Sequence, residues 1–586
     1  MKKALALVLA VLMVVALFAG CGPKETPTTP DTNTPSSSTP TPPEDNAGDN
    51  AGGGEEAPVE DDGPYNFAKG KFEFNEDGYA TSTFDYELPL STTDEVFTYW
   101  TTCWTPQYLP EGGWQELETL AYIEELTGVH MEYEAVSSES RSTNFSVLLA
   151  ADDLRDLMDQ ATYFYTGDAF SMIEDEWFIN FYDYRDYMPN YLYELYATND
   201  IDVLKYGRLD DTTWPAIYGI NRDPMAAIGY MLRQDWMDDL GLGKAIDVKT
   251  LDDWHNVLTA FKNNGMQWPL AIYKTVDICG GFGMFDTSVS VSDAGLPAAK
   301  AIDGVIHYSL TTQDDLDAVT LLSQWYAEGL IDPNYATYTD NTAMSNPITT
   351  DVLGCVAFTP SEVAAWEASG QDPDTTWMPT PYVKKTEDQM FKYGHKMSYF
   401  HMGAASISAK CDNIPLVCTW LDWKWSPEGS LVDNWGVEGL TYYIDENGNR
   451  MLSDFVLNHP EGLGSAWVMV LYTNDGLRQP CLNMHLKNYA YPGGEIFLEM
   501  FSAWKVEGYV GEYDIPTGIR YTTEQSEILN QYSNDIGTYI AENWFAFLDG
   551  SKPLSMWDAY VADIYALGLQ NCIDVVQEAY DDYLGA

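Results

Sequence analysis

Lys2 and Lys3 precede an apolar run from Ala4 to Ala19 that closes on Gly20-Cys21, and from Gly22 to about Gly63 the chain holds almost no apolar residue. This division fixes which part of the chain can fold. A basic start, about sixteen apolar residues and small residues at the end make the layout of a secretory signal peptide, too short and wrongly flanked for a spanning helix. Residues 1–20 are therefore read as a leader, and the chain as exported. The Thr-, Pro- and Ser-rich, acidic stretch 21–63 cannot bury enough surface to offset ordering entropy, so it is expected to be a disordered, extended tether. The fold falls to residues 64–586.

Phe18-Ala19-Gly20-Cys21 resembles the lipobox of bacterial lipoproteins, in which the cysteine is acylated and becomes the new amino terminus. Phe18 stands where leucine is commonest in that motif. The resemblance implies a lipid-anchored chain on the extracellular face of a cell membrane, held through Cys21. Two or three acyl chains give stable attachment where one is marginal.

Roughly 520 residues exceed one ordinary core and imply two or more domains or lobes. The net charge of −61 argues against nucleic acid as a partner, because phosphate binding relies on Lys and Arg, here 29 against 90 Asp and Glu. The 19 Trp and 40 Tyr are abundant; most are expected to be structural, and a minority to line a cleft. Besides Cys21 there are Cys103, Cys279, Cys355, Cys411, Cys418, Cys481 and Cys572, an odd number at spacings that match no zinc or CxxC pattern. Buried free thiols are expected, with Cys411 and Cys418 a possible pair.

The folded part begins with alternating elements. Val96–Trp100 reads as a strand entering a loop to Gly113, Trp114–Thr127 as a helix stopped by Gly128, and Val129–Tyr133 as a second strand. Ser142–Leu149 reads as a helix and Leu157-Met158 as a short strand. Repetition of this unit predicts a parallel sheet flanked by helices, an α/β fold. In such sheets ligands sit beyond the carboxyl ends of strands, which selects Trp100, Trp104, Tyr163 and Tyr165 as candidate cleft residues. Trp214 follows a turn into a buried segment and joins them. Arg233 ends a strand that passes into a helix closed by Gly241; it suits a ligand contact or a pinned interface, and Asp235 a helix cap. Thr250 opens a further helix over Leu251–Phe261.

Several stretches resemble the family 1 extracellular solute-binding proteins, the large lipid-anchored group associated with oligosaccharide importers. Phe145–Asp156 is similar to a family helix and its Leu-Pro-Asp turn, with Arg155 in place of the proline. Arg233-Gln-Asp-Trp236-Met-Asp-Asp-Leu-Gly-Leu242 is similar to its Arg-x-Asp-Trp-Leu-x-x-Leu-Gly-Leu. Ser426-Pro-Glu-Gly429 with Asn434–Tyr442 is similar to its Ser-Pro-Glu-Gly and following turn. Trp557–Tyr560, Leu567–Leu569 and Gln577–Tyr580 are similar to its closing helices. The resemblance implies a periplasmic-binding-protein-like fold: two lobes, a hinge, a sugar in the interlobe cleft and delivery to an ABC-transporter permease. The lobes are expected over about 92–215 plus 350–400, and about 225–345 plus 405–586. Trp435 and Glu438 are added as ligand candidates, Gly436 and Gly439 as tight-turn residues, and the Asp558 and Glu578 helices as structural.

Other chemistry finds little support. His130, His255, His307, His395, His401, His459 and His485 form no HExxH. Gly280–Gly283 lacks the remaining glycine and the helix of a phosphate loop, and Asp445–Asn449 suits a hairpin turn better than a calcium loop. No cofactor or metal is expected, and the chain is expected to be a monomer. Two function classes stand: a lipid-anchored binding protein for a carbohydrate, with peptide as rival solute, and a surface glycoside hydrolase resting only on aromatics and carboxylates.

Overall fold

The computed structural model describes residues 63–585 except 104, 138–139, 167–168, 222–228, 273–294, 338–345, 359–369, 384–399, 474–481, 484–498, 501, 505–512 and 517. The leader, Cys21 and the tether lie outside the described residues, as do Trp104, Cys279 and Cys481. In chain order the strands are β1 (Val96–Cys103), β2 (His130–Ser137), β3 (Leu157–Asp159), β4 (Ile217–Asn221), β5 (Gly229–Arg233), β6 (Ala299–Ile302), β7 (Val305–Tyr308), β8 (Cys355–Phe358), β9 (Trp377–Pro379), β10 (Phe400–Ile407), β11 (Tyr442–Ile444), β12 (Arg450–Leu452) and β13 (Leu482–Asn483).

Six of them form one sheet in the order β13-β4-β10-β3-β1-β2. β1, β2, β3, β4 and β13 run the same way and β10 runs against them, so the expected parallel sheet carries one reversed strand. Local signals in this half do what the sequence predicts. The Glu118–Thr127 helix ends on Gly128, whose φ of 66° completes a left-handed cap. The Arg141–Ala151 helix ends on Asp152 in the same conformation. A core of aromatic and aliphatic residues, including Tyr99, Leu157, Tyr191, Ile217, Trp420 and Trp425, fills this lobe.

The second lobe has an antiparallel sheet, β8-β5-β9, beside the β6–β7 hairpin, so the parallel pattern does not extend to it. Its core joins Trp254, Trp325, Trp377, Trp504 and Trp544 to the helices Leu251–Asn263, Gln313–Ala327, Thr523–Leu548, Trp557–Ala566 and Leu569–Leu584. Thr250 caps its helix through a reciprocal pair with Asp253, as expected.

The expected lobe boundaries are corrected by this pairing. β8 and β9 hydrogen-bond to β5, so 355–358 and 377–379 belong to the second lobe, whereas β10 lies between β3 and β4, which returns 400–407 to the first. The helices Ile414–Trp423 and Pro427–Trp435 and the β11–β12 hairpin follow β10 and pack with the first-lobe residues through Trp420, Trp423, Trp425 and Trp114. Ser426 caps the second of these helices, its Oγ accepting from the Gly429 amide at 3.1 Å. Residues 63–95 wrap the first lobe as a strap: Asn190 exchanges hydrogen bonds of 2.8 and 3.0 Å with the Phe84 backbone, and Tyr86 donates to buried Asp422 at 2.8 Å. Cys103, Cys355, Cys411, Cys418 and Cys572 are buried free thiols, and Cys411 and Cys418 are not bonded to each other.

Candidate functional site: the edge where the lobes meet

The chain passes between the two sheets in three intervals, Asn221 to Gly229, Pro379 to Phe400 and Asn483 to the Met500 region. All three leave the same edge of the six-stranded sheet, where β4 and β13 end and β10 begins. β1, β2 and β3 run parallel to β4, so their carboxyl ends face that edge too. The strand topology thus places the interlobe cleft along the carboxyl ends of the first-lobe strands, the position at which open α/β sheets bind ligands.

At this edge β3 ends on Asp159, a buried carboxylate that accepts from Tyr99 Oη at 2.5 Å and from Thr101 Oγ1. Gln160 turns the chain with a φ of 54°, and its amide donates to the Ala404 carbonyl at 2.9 Å. Arg141 fixes the Gln160 side chain at 2.9 Å and lies 5.4 Å over the Phe164 ring. The single turn of helix Ala161–Phe164 then presents Tyr163, 56% exposed. Thr162 Oγ1 accepts from Tyr218 Oη at 3.3 Å, and Tyr206 packs edge-on against Tyr218 at 4.9 Å. Burial, and then the neighbouring Tyr163 and Tyr218, push the Tyr206 hydroxyl well above its ordinary pKa, so it remains a neutral donor. From the second lobe Arg520 comes 5.8 Å over the Tyr206 ring and donates to the Arg208 carbonyl at 3.1 Å. Tyr163, Tyr206, Tyr218 and Arg520 therefore form an aromatic, cation-bearing surface across the lobe junction. Rings can stack on C–H faces there, and hydroxyls and a guanidinium can bond polar rims.

The sequence-selected residues divide accordingly. Tyr163 stands in this cluster, and Tyr165, half-buried beside it, is bonded through its hydroxyl to Ser171 at 2.6 Å. Trp100 is corrected: it is 0% exposed, its Nε1 donates to Asn144 at 2.6 Å, and Phe145 and Phe164 enclose its ring. It sits within β1 with no face left for a solute. Trp214, 7% exposed, precedes the amino end of β4 and lies against the Arg208 guanidinium at 4.3 Å. Arg233 ends β5 on the far side of the second sheet, 0% exposed, in ion pairs with Asp235 at 2.5 Å and with Asp351. It pins elements inside one lobe, and Asp235 serves that pair rather than capping a helix. Trp435 is buried against Tyr442 at 5.8 Å. Glu438 is exposed in the turn that Gly436 and Gly439 make with φ of 77° and 86°. Trp435 belongs to the apolar cluster that holds Cys103, the last residue of β1. Sequence reasoning missed Tyr206, Tyr218 and Arg520, which no spacing connects.

No family model matches the sequence. Lipoprotein LipO of Bacillus subtilis (strain 168) is 22% identical over 406 residues, which cover 66% of this chain and 73% of that protein. Among solved structures, the HMO-binding, ABC-transporter-associated solute-binding protein from Bifidobacterium longum infantis ATCC 15697 superposes with a TM-score of 0.63 at 16% identity, covering 83% of this chain and 99% of that one. An EF-hand mutant of the S. pneumoniae ABC-transporter substrate-binding protein FusA, in complex with fructo-nystose, gives 0.58 at 18%, covering 84% and 100%. The chain has the two-lobed α/β fold of the solute-binding proteins of ABC transporters.

Proposed function

We propose that this chain is an extracellular solute-binding lipoprotein, anchored through Cys21, that captures an oligosaccharide between its lobes and delivers it to an ABC-transporter permease. The observation that carries the reading is the convergence of all three chain crossings and the Tyr163–Tyr206–Tyr218–Arg520 cluster on one sheet edge. Two lobes hinged at that edge can close on a solute and present a different outline to a membrane partner. The role is binding rather than catalysis, in keeping with the binding proteins it resembles in fold. The reading is tested by a thermal-shift screen of the chain lacking residues 1–63 against mono- and oligosaccharides, with peptides as controls and each mixture checked for breakdown. Saturable stabilisation by an intact oligosaccharide is expected. Stabilisation by peptides alone, or cleavage of the sugar, would overturn it.

A further inference from the structure

The first lobe carries a second cavity, of about 430 Å³, ahead of the amino end of β4, where the Arg208 carbonyl also meets Arg520 of the second lobe. Three separated segments build it: the turn around Phe74–Tyr79, the 3-10 helix Phe181–Tyr187, and the loop Arg208–Trp214. Its walls are aromatic. Arg185 stacks on Tyr182 at 3.6 Å, and Arg208 lies 4.3 Å over Trp214 and 5.4 Å over Tyr79, whose hydroxyl it also bonds. Tyr182 meets Trp214 edge-on at 5.6 Å, so the two stacked guanidiniums line one chamber.

In a chain with 90 carboxylates against 29 Lys and Arg, cations ordinarily find an acid. Among the described residues neither Arg185 nor Arg208 has an ion-pair partner, although Glu76, Asp77 and Asp211 line the same cavity. Trp214 adds a buried Nε1 donor with no acceptor. Stacking holds the guanidiniums in place while their N–H edges remain unspent on carboxylate, the arrangement that takes a planar anion in bidentate fashion.

We propose that this cavity is a second ligand site, distinct from the interlobe cleft, for a glycuronic acid: a sugar ring bearing a carboxylate. Arg185 and Arg208 take the carboxylate, the aromatic walls take the C–H face of the ring, and Glu76, Asp77 and Asp211 accept its hydroxyls. The volume suits one or two sugar rings. The proposal does not rest on the cleft reading, and a chain that bound no oligosaccharide between its lobes would still be expected to bind here.

The test is titration calorimetry on the full chain with D-glucuronic acid, and with D-glucose as the neutral control, for the wild type and for Arg185→Gln, Arg185→Lys and Tyr163→Ala. Saturable glucuronate binding is expected in the wild type, unchanged in Tyr163→Ala and weakened about tenfold in Arg185→Gln. Arg185→Lys, which keeps the charge but not the planar fork, should fall between and serves if the glutamine variant fails to fold. Absence of saturable glucuronate binding, equal affinity for glucose, equal affinity in both Arg185 variants, or loss of binding in Tyr163→Ala would each overturn the proposal.

Discussion

Asp202 and Tyr583 belong to different lobes, and the Tyr583 hydroxyl donates to Asp202 Oδ1 at 3.0 Å. The same oxygen accepts the Gly518 amide at 2.5 Å, while Lys205 donates to the Tyr583 carbonyl at 2.9 Å and stands 4.2 Å over its ring. One short helix of the first lobe, Ile201–Lys205, is thus tied to the last helix of the second, Leu569–Leu584.

The tie predicts energetic coupling across the lobes. Tyr583→Phe is expected to cost about 1 kcal/mol, the net worth of one hydrogen bond. Asp202→Ala should cost more, because it also leaves the Gly518 amide without its acceptor. In a double-mutant cycle read by denaturant unfolding, the two are expected to couple by at least about 0.5 kcal/mol. Strict additivity would show that the lobes do not communicate through this pair.

Tyr163→Ala isolates ligand contact from stability. The side chain is 56% exposed, so the unfolding free energy should stay within the change caused by an ordinary surface substitution, about 0.5 kcal/mol. Loss of one stacking ring should weaken oligosaccharide binding by about 0.5–1.5 kcal/mol, or several-fold, measured by calorimetry. Trp100→Phe should do the reverse, leaving affinity unchanged while costing stability through the stranded Asn144 side chain.

How far the sequence carried depended on whether the deciding interaction was local. Gly128, Thr250 and Gly241 mark helix ends through contacts within four residues, and they stand where the sequence puts them. The lobe exchange was illegible, because Cys355–Phe358 and Phe400–Ile407 are both short apolar strands and only their partners, β5 and β3 with β4, distinguish the lobes. Arg233 and Trp100 sit at strand positions that suit a cleft, yet partners distant in the sequence, Asp351 for one and Asn144 for the other, absorb them into the interior. Arg520 lies about three hundred residues from Tyr206 and Tyr218, with no motif to connect them.

Gly429 is explained by space rather than by backbone freedom. A Cβ there would stand 2.0 Å from the Trp423 carbonyl oxygen and 2.9 Å from its ring, so the Pro427–Trp435 helix can cross the end of the Ile414–Trp423 helix only without a side chain. Gly429→Ala is expected to destabilise the first lobe by about 1–3 kcal/mol, the usual cost of overpacking a filled core. Denaturant unfolding followed by tryptophan fluorescence checks it, since Trp420, Trp423 and Trp425 lie in the affected region.

Asp422 makes the stability of the first lobe depend on pH. Its carboxylate is fully buried and accepts from Tyr86 Oη at 2.8 Å, from the Asn190 amide at 3.1 Å and side chain at 3.0 Å, and from the Tyr191 amide at 2.8 Å. Burial outweighs these bonds and raises its pKa to about 7. In the unfolded chain an aspartate titrates near about 3.9, so between about pH 4 and pH 7 the folded state holds the extra proton. Stability from this group is therefore fully present below pH 4 and is lost as pH rises through 7. Asp422→Asn fixes the site in a neutral form. The stability of wild type relative to Asp422→Asn should fall steadily from pH 4 to pH 7 and level off above it, measured by denaturant unfolding at each pH. Asp315, raised to about 6 by burial, titrates in the same window but is common to both proteins and cancels in the difference. A difference that stays constant over this range, or grows with pH, would show that Asp422 is ionised throughout and that its four donors outweigh its burial.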